Sequence, residues 1–223
     1  QAADKVIEKA KKIASHMLEC SDEDLDFSAG RFGVRGTDRG VGLTDIALAT
    51  FAAHDLPDGV EPSLDADATF DPENFSFPHG THLCASEVDT ETGRVRIRSY
   101  VCVDDVGTVV NPLIVEGQVH GGLAQGIAQA LFEEAVYDEQ GTLTTATLAD
   151  YLVPSAADLP DFVTDRTETR ATSNSLGVKG VGEAGTIAST PAVVNSIVDA
   201  VRHLGVNDVA MPCSPQRVWR AIA

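Results

Sequence analysis

Apolar residues recur at helical spacing near the start of the chain, at Val6, Ala10, Ile13, Ala14, Met17 and Leu18. This pattern predicts an amphipathic helix over residues 4–19 whose apolar stripe needs a partner surface. Asp26–Val34 alternates in short runs around Gly30, predicting two short strands joined at a glycine turn. Thr44 is placed to cap a helix of small and apolar residues from Asp45 to about Ala53. From His54 to Gly80 no period is sustained, and Pro57, Pro62, Pro72 and Pro78 punctuate an acidic stretch. Long uninterrupted loops are uncommon inside compact domains. This stretch is therefore expected to cross between two lobes, with Phe70, Phe75 and Phe77 available to cover a partner surface.

The clearest β pattern runs from Thr81 to Val106. Val95 and Ile97 alternate with Arg94, Arg96 and Arg98, and the turn contains Gly93. This is a hairpin, with the arginines on its solvent face. Asn111-Pro112 starts a helix expected to reach about Glu134, with Asn as N-cap and Pro at the first helical position. That helix carries Gly117, Gly121, Gly122 and Gly126, although each interior glycine costs about 1 kcal/mol relative to alanine. Either a closely packed helix or a ligand must approach its backbone. Gln118 and Gln125 fall on about the same face, where their amides offer donors and acceptors to a heterocycle. A second hairpin is expected over Glu134–Thr147, a strand at Phe162–Asp165, a helix launched by Thr190-Pro191, and a short last helix from Pro215 containing Trp219. Mixed hairpins and helices give an α+β fold, with largely antiparallel strands and packed helices. The expected divisions are a small N-terminal lobe at 1–54, an extended connection at 55–80 and a larger lobe at 81–223.

Charge narrows the class. The net charge is −18, from 34 acidic and 16 basic residues. A phosphate backbone needs a basic face, so nucleic acid is not an expected partner. The acids are scattered, as in Asp22-Glu23-Asp24 and Asp65-Ala66-Asp67, which suggests a general acidic surface adapted to high salt. Cys20, Cys84, Cys102 and Cys213 show no C-x-x-C spacing. No metal site is expected from them, and a reducing cytoplasm is the default. No apolar run approaches a membrane span.

One stretch concentrates candidate chemistry: Gly177-Val178-Lys179-Gly180-Val181-Gly182-Glu183-Ala184-Gly185-Thr186. A lone carboxylate among glycines is either an exposed Glu in a flexible turn or an acid/base facing a ligand that needs close backbone approach.

This loop, the Val103-Asp104-Asp105-Val106-Gly107…Asn111-Pro112 segment and the Gly117-Gln118-Val119-His120-Gly121-Gly122…Gln125-Gly126 helix occur in an order that resembles a known family. That family is the xanthine dehydrogenase / aldehyde oxidase / aerobic carbon monoxide dehydrogenase group, and the resemblance is to the C-terminal part of its molybdenum-binding large subunit. It extends through Pro215–Arg220, and the Glu-Ala-Gly form is closer to the carbon monoxide dehydrogenase-like branch. The resemblance implies a molybdopterin cofactor to which the protein gives no direct metal ligand. It implies that Glu183 is a general base beside molybdenum and that Gln118 hydrogen-bonds the pterin. Gly117, Gln125, Gly180, Val181 and Gly182 would complete this chain's share of the cofactor wall. It also implies an oligomer with iron–sulfur and FAD groups on partner subunits, and a small-molecule substrate: carbon monoxide, an aldehyde or an N-heterocycle. Family subunits are several times longer, so the chain is expected to lack the N-terminal half and to need it for turnover. The alternative is a catalytically silent fragment that folds without cofactor.

Overall fold

A computed structural model describes all 223 residues, which form two compact units, Gln1–Asp71 and Pro72–Ala223. The boundary falls inside the proline-punctuated stretch.

In the first unit, helix α1 (Ala2–Leu18) buries Ala10, Ile13 and Ala14 and ends where Glu19 turns left-handed. Met17, part of the predicted stripe, is 42% exposed. Strands β1 (Leu25–Ser28), β2 (Arg31–Val34) and β3 (Gly40–Gly42) form an antiparallel sheet in that order. Ala29 and Gly30 connect β1 to β2 with φ of 49° and 75°. Two positive φ values give the turn a twist that matches the flanking strands. Helix α2 (Leu43–Ala52) follows β3 directly. Thr44 is therefore inside its first turn and does not cap it; the Leu43 N–H is already engaged by the Gly30 carbonyl at 2.8 Å. The core gathers Ile13, Leu25, Phe32, Val41 and Ile46, and Leu56, Val60 and Leu64 pack against it. The early part of the aperiodic stretch thus has apolar anchors spaced too irregularly to register as a period.

The second unit is built on β4 (His79–Val88) and β5 (Val95–Asp105), an antiparallel hairpin with an irregularity at Ala85/Ser86. Asp89 Oδ1 accepts the Glu91 and Thr92 N–H groups and closes its turn. Arg94, Arg96 and Arg98 are exposed, and Arg98 pairs with Glu87 at 3.4 Å. Strand β6 (Phe162–Thr167) joins β5 in parallel, giving the order β4-β5-β6 and a mixed sheet.

Helix α3 (Pro112–Leu131) is capped by Asn111, whose Oδ1 accepts the Ile114 N–H at 3.2 Å. It stops three residues short of Glu134, and the expected hairpin beyond it reduces to one bridge, Tyr137 to Leu143. Helix α4 (Ala184–Val201) differs from expectation: it begins well before Thr190-Pro191 and carries Pro191 in its interior. Thr190 does not act as a cap because its hydroxyl donates to the Gly126 carbonyl of α3 at 3.2 Å. Pro191 is on the exposed face, where water can satisfy the carbonyl its ring leaves free. Helix α5 (Pro215–Ile222) closes the chain. Helix α4 packs on β4 and against α3, and Tyr100, Leu123, Ile127, Val193 and Ile197 are fully buried between them. The fold is mixed α and β, as its element pattern predicts. No helix is long and apolar enough to cross a membrane.

Candidate cofactor-binding site

The loop entering α4 is held at both ends. At its start, the Lys179 N–H donates to the Val106 carbonyl at 2.9 Å, and the Thr108 N–H donates to the Gly177 carbonyl at 3.0 Å. Lys179 Nζ meets Asp105 Oδ1 at 2.9 Å, with the two side chains 8% and 0% exposed. Asp105 also accepts the Gly107 N–H at 3.0 Å and the Thr167 hydroxyl at 3.1 Å. Burial alone would raise its pKa, but the bonds from Lys179, Gly107, Thr169 and Thr167 outweigh it and hold Asp105 well below the usual carboxylate range. Gly107, at φ +66°, lies against the Gly177 carbonyl, where no side chain fits.

At the far end, Gly185 is wedged into α3. A Cβ there would stand 2.5 Å from the Val119 carbonyl and 3.2 Å from Gly122 Cα. Likewise a Cβ on Gly126 would stand 2.5 Å from Ser189 Cβ. Ser189 is fully buried and donates to the Leu123 carbonyl at 3.0 Å. These contacts explain Gly122, Gly126 and Gly185 by helix-on-helix approach alone.

Gly117, Gly121, Gly180 and Gly182 are different. A Cβ on any of them would meet no atom within 4 Å, and none has positive φ. Neither internal packing nor backbone conformation requires glycine at these positions. All four are exposed, as are Gln118, Gln125 and Glu183, while Val181 is half-buried against the core. Glu183 occupies the position before the first residue of α4 without capping it. Because Gly185 touches Val119 and Gly122, the Glu183 end of α4 lies against the turn of α3 that follows Gln118 and includes Gly121. Gln125 projects one turn further along the helix. The Gly185 contact thus places the loop that carries Glu183 beside the Val119–Gly122 turn of α3, next in the chain to Gln118. Exposed amides and bare backbone suit a large polar heterocycle, and the site contains no cluster of metal-ligating side chains. The residues fit a cofactor that brings its own metal ligands.

Two concave regions occur in the second unit, and the smaller reaches Val106 and Val119, the residues that meet Lys179 and Gly185. One, of about 280 Å3, is lined by Asp104, Val115, Glu116 and Arg166; the other, of about 710 Å3, by Arg94, Arg96 and Asp158.

A buried polar cluster adjoins the first. His82 Nδ1 and the Tyr100 hydroxyl are joined at 2.9 Å, and His82 Nε2 and Asp104 Oδ1 at 3.2 Å. The Cys102 thiol donates to Asp104 Oδ2 at 3.2 Å. Burial pushes the Cys102 thiol up in pKa, and the Asp104 carboxylate it bonds adds to that shift. Burial pushes Tyr100 up to about 12. Burial would also raise Asp104, but its bonds from His82 and Cys102 hold it below the ordinary value. The three donors His82, Cys102 and Asp104 lie within 4.8 Å of one another. Each already has a protein partner and the thiol is held protonated, so the group closes on itself as a hydrogen-bonded network. The sequence reading missed both this cluster and the role of Asp105. Their signal was the alternation of Tyr100, Cys102 and Asp104 along β5 opposite Gly80, His82 and Cys84 on β4. Gly80 leaves room for the Asp104 carboxylate.

Comparison with known proteins identifies the family. Residues 1–160 match the molybdopterin cofactor-binding domain family. The carbon monoxide dehydrogenase large chain of Hydrogenophaga pseudoflava is 41% identical over 99% of this chain, which covers 27% of that protein. Subunit gamma of the 6-hydroxypseudooxynicotine dehydrogenase complex of Paenarthrobacter nicotinovorans is 39% identical over 98% of this chain and 28% of its own length. A carbon monoxide-reduced Cu,Mo-CO dehydrogenase crystal structure superposes with a TM-score of 0.80 at 37% identity, covering 99% of this chain and 28% of that one. The chain thus spans little more than a quarter of the relatives it matches. It belongs to the molybdopterin cofactor-binding domain family and is homologous to the large subunits of the carbon monoxide dehydrogenase and xanthine dehydrogenase enzymes.

Proposed function

We propose that this chain is the C-terminal portion of a molybdenum hydroxylase or carbon monoxide dehydrogenase-like large subunit, in which Glu183 is the general base. The observation that carries the reading is the set of glycines with no internal reason, Gly117, Gly121, Gly180 and Gly182, around an exposed carboxylate that the chain does not use. When bound, the molybdopterin cofactor supplies the two-electron redox chemistry. The chain's own residues bind, orient and move a proton. Gln118 and Gln125 hydrogen-bond the polar edge of the pterin, and Gly117, Gly180, Val181 and Gly182 let backbone approach it. Glu183 takes the proton from the water-derived oxygen nucleophile as it attacks the substrate carbon.

The rest of the large subunit supplies the opposite wall and the residues that select among carbon monoxide, an aldehyde and an N-heterocycle. Iron–sulfur and flavin subunits carry the electrons away. In the full-length enzyme, Glu183→Gln is expected to keep molybdenum and pterin while losing about 10²–10⁴-fold in turnover, the usual contribution of a positioned acid or base. Turnover near wild type would refute the base assignment.

A further inference from the structure

We propose that the buried Lys179–Asp105 ion pair is a positioning device that sets the reach of Glu183. This rests on Glu183 acting as the base.

Glu183 stands between two fixed points. On one side Gly185 is wedged against Val119 and Gly122 of α3. On the other, Lys179 is clamped to the end of β5 by its own N–H and by its ammonium. Only residues 180–182 lie between clamp and carboxylate. Gly180 and Gly182 touch nothing through their Cα substituent positions, so they have little stiffness of their own. Asp105 is a firm anchor, because β5 carries it, β6 bonds it through Thr167, and the Gly107 N–H bonds it from the following turn. The imidazole of His79, on β4, lies 3.9 Å from its other oxygen. Its neighbour Asp104 is fixed on the opposite face by His82 and Cys102.

Lysine is exposed in most settings and rarely buried unless paired. Here, in a chain of net charge −18, one lysine is spent inside the protein four residues before the candidate base. A purely stabilising role would be met by apolar packing of similar volume. An ion pair instead fixes direction and distance as well as proximity, which is what a base needs: misplacing a reacting group by about 1 Å can cost on the order of 10²-fold in rate.

The test uses the full-length enzyme. Lys179→Met alone strands the buried Asp105 charge and risks misfolding, so the informative variant is Asp105→Asn/Lys179→Met, which removes both charges at nearly constant volume. The expected result is wild-type molybdenum and pterin content. Amide exchange across residues 178–183 should be faster by about tenfold or more with residues 193–201 unchanged, and kcat should fall about 10- to 100-fold with KM held within about twofold. Lys179→Arg, which keeps the charge opposite Asp105, should retain most of kcat. Wild-type exchange at 178–183 in the double variant would overturn the tether whatever turnover does. Loosened exchange with wild-type kcat would overturn its positioning role. Glu183→Gln separates the two proposals: if it retains turnover the base reading falls, while the exchange measurement still decides whether the pair holds the loop.

Discussion

Two sets of glycines on α3, α4 and the loop entering α4 behave in opposite ways. Gly122, Gly126 and Gly185 sit where α3 and α4 touch, and a methyl group on any of them would run into backbone or into Ser189. Gly117, Gly121, Gly180 and Gly182 face nothing within 4 Å. Gly121 and Gly122 are neighbours in the chain, yet one is explained by this polypeptide and the other is not. The closed set builds the fold. The open set leaves bare backbone exposed on α3 and on the loop entering α4, the same two segments that carry Gln118, Gln125 and Glu183 as exposed side chains.

The largest effect should come from the clamp that joins the two regions. Lys179→Met is expected to cost about 3–5 kcal/mol, because it leaves an uncompensated buried carboxylate; chemical denaturation of the variant checks this. The same pair gives the closed side an acid limb. Asp105 has a folded pKa below its ordinary value of 3.8, so its stabilisation is complete above about pH 4 and is lost as the pH falls through the lower folded value. The Asp105→Asn/Lys179→Met protein should show a flatter fall in stability below pH 4 than wild type. An identical acid limb would detach this pair from the stability of the region.

Next comes the crossing itself. Gly185→Ala or Gly126→Ala should each destabilise by about 1–3 kcal/mol through overpacking, read as a lowered denaturation midpoint at unchanged slope. A neutral result at either position would erase the distinction between the two sets.

On the closed side, Tyr100 provides an alkaline counterpart. Its phenol is pushed up from 10.0 to about 12 by burial, so its contribution is intact below pH 10 and is lost as the pH rises toward 12. Tyr100→Phe should remove the latest step in the ultraviolet tyrosine titration. The smallest stability effect belongs to the open side. Gly121→Ala should leave the protein without bound cofactor unchanged or more stable by up to about 1 kcal/mol, since it replaces a helical glycine with a better helix former at an empty position.

Much of the frame was legible in local rules. The Asn111-Pro112 cap, the Thr81–Val106 hairpin and the apolar face of α1 depend on residues close in sequence, and the structure shows all three. Other features depend on partners far along the chain. Asp105 and Lys179 are 74 positions apart, and nothing near either residue announces the other. The true start of α4 was hidden because Thr190-Pro191 resembles a helix start, whereas the Thr190 hydroxyl serves α3. The glycine content of α3 signalled a close approach without telling which glycines face a helix and which face outward. That distinction requires the helix crossing, since the pattern of residues is the same for both.

On the proposed function, the open face of α3 and the Glu183 loop receive the molybdopterin cofactor. The most direct measurement is the molybdenum and pterin content of the full-length enzyme carrying Gly121→Leu, a substitution whose Cβ would meet no atom of this chain within 4 Å at an exposed position. The expected result is a folded protein with cofactor content far below wild type. A Gly121→Leu enzyme with full molybdenum and pterin would contradict it.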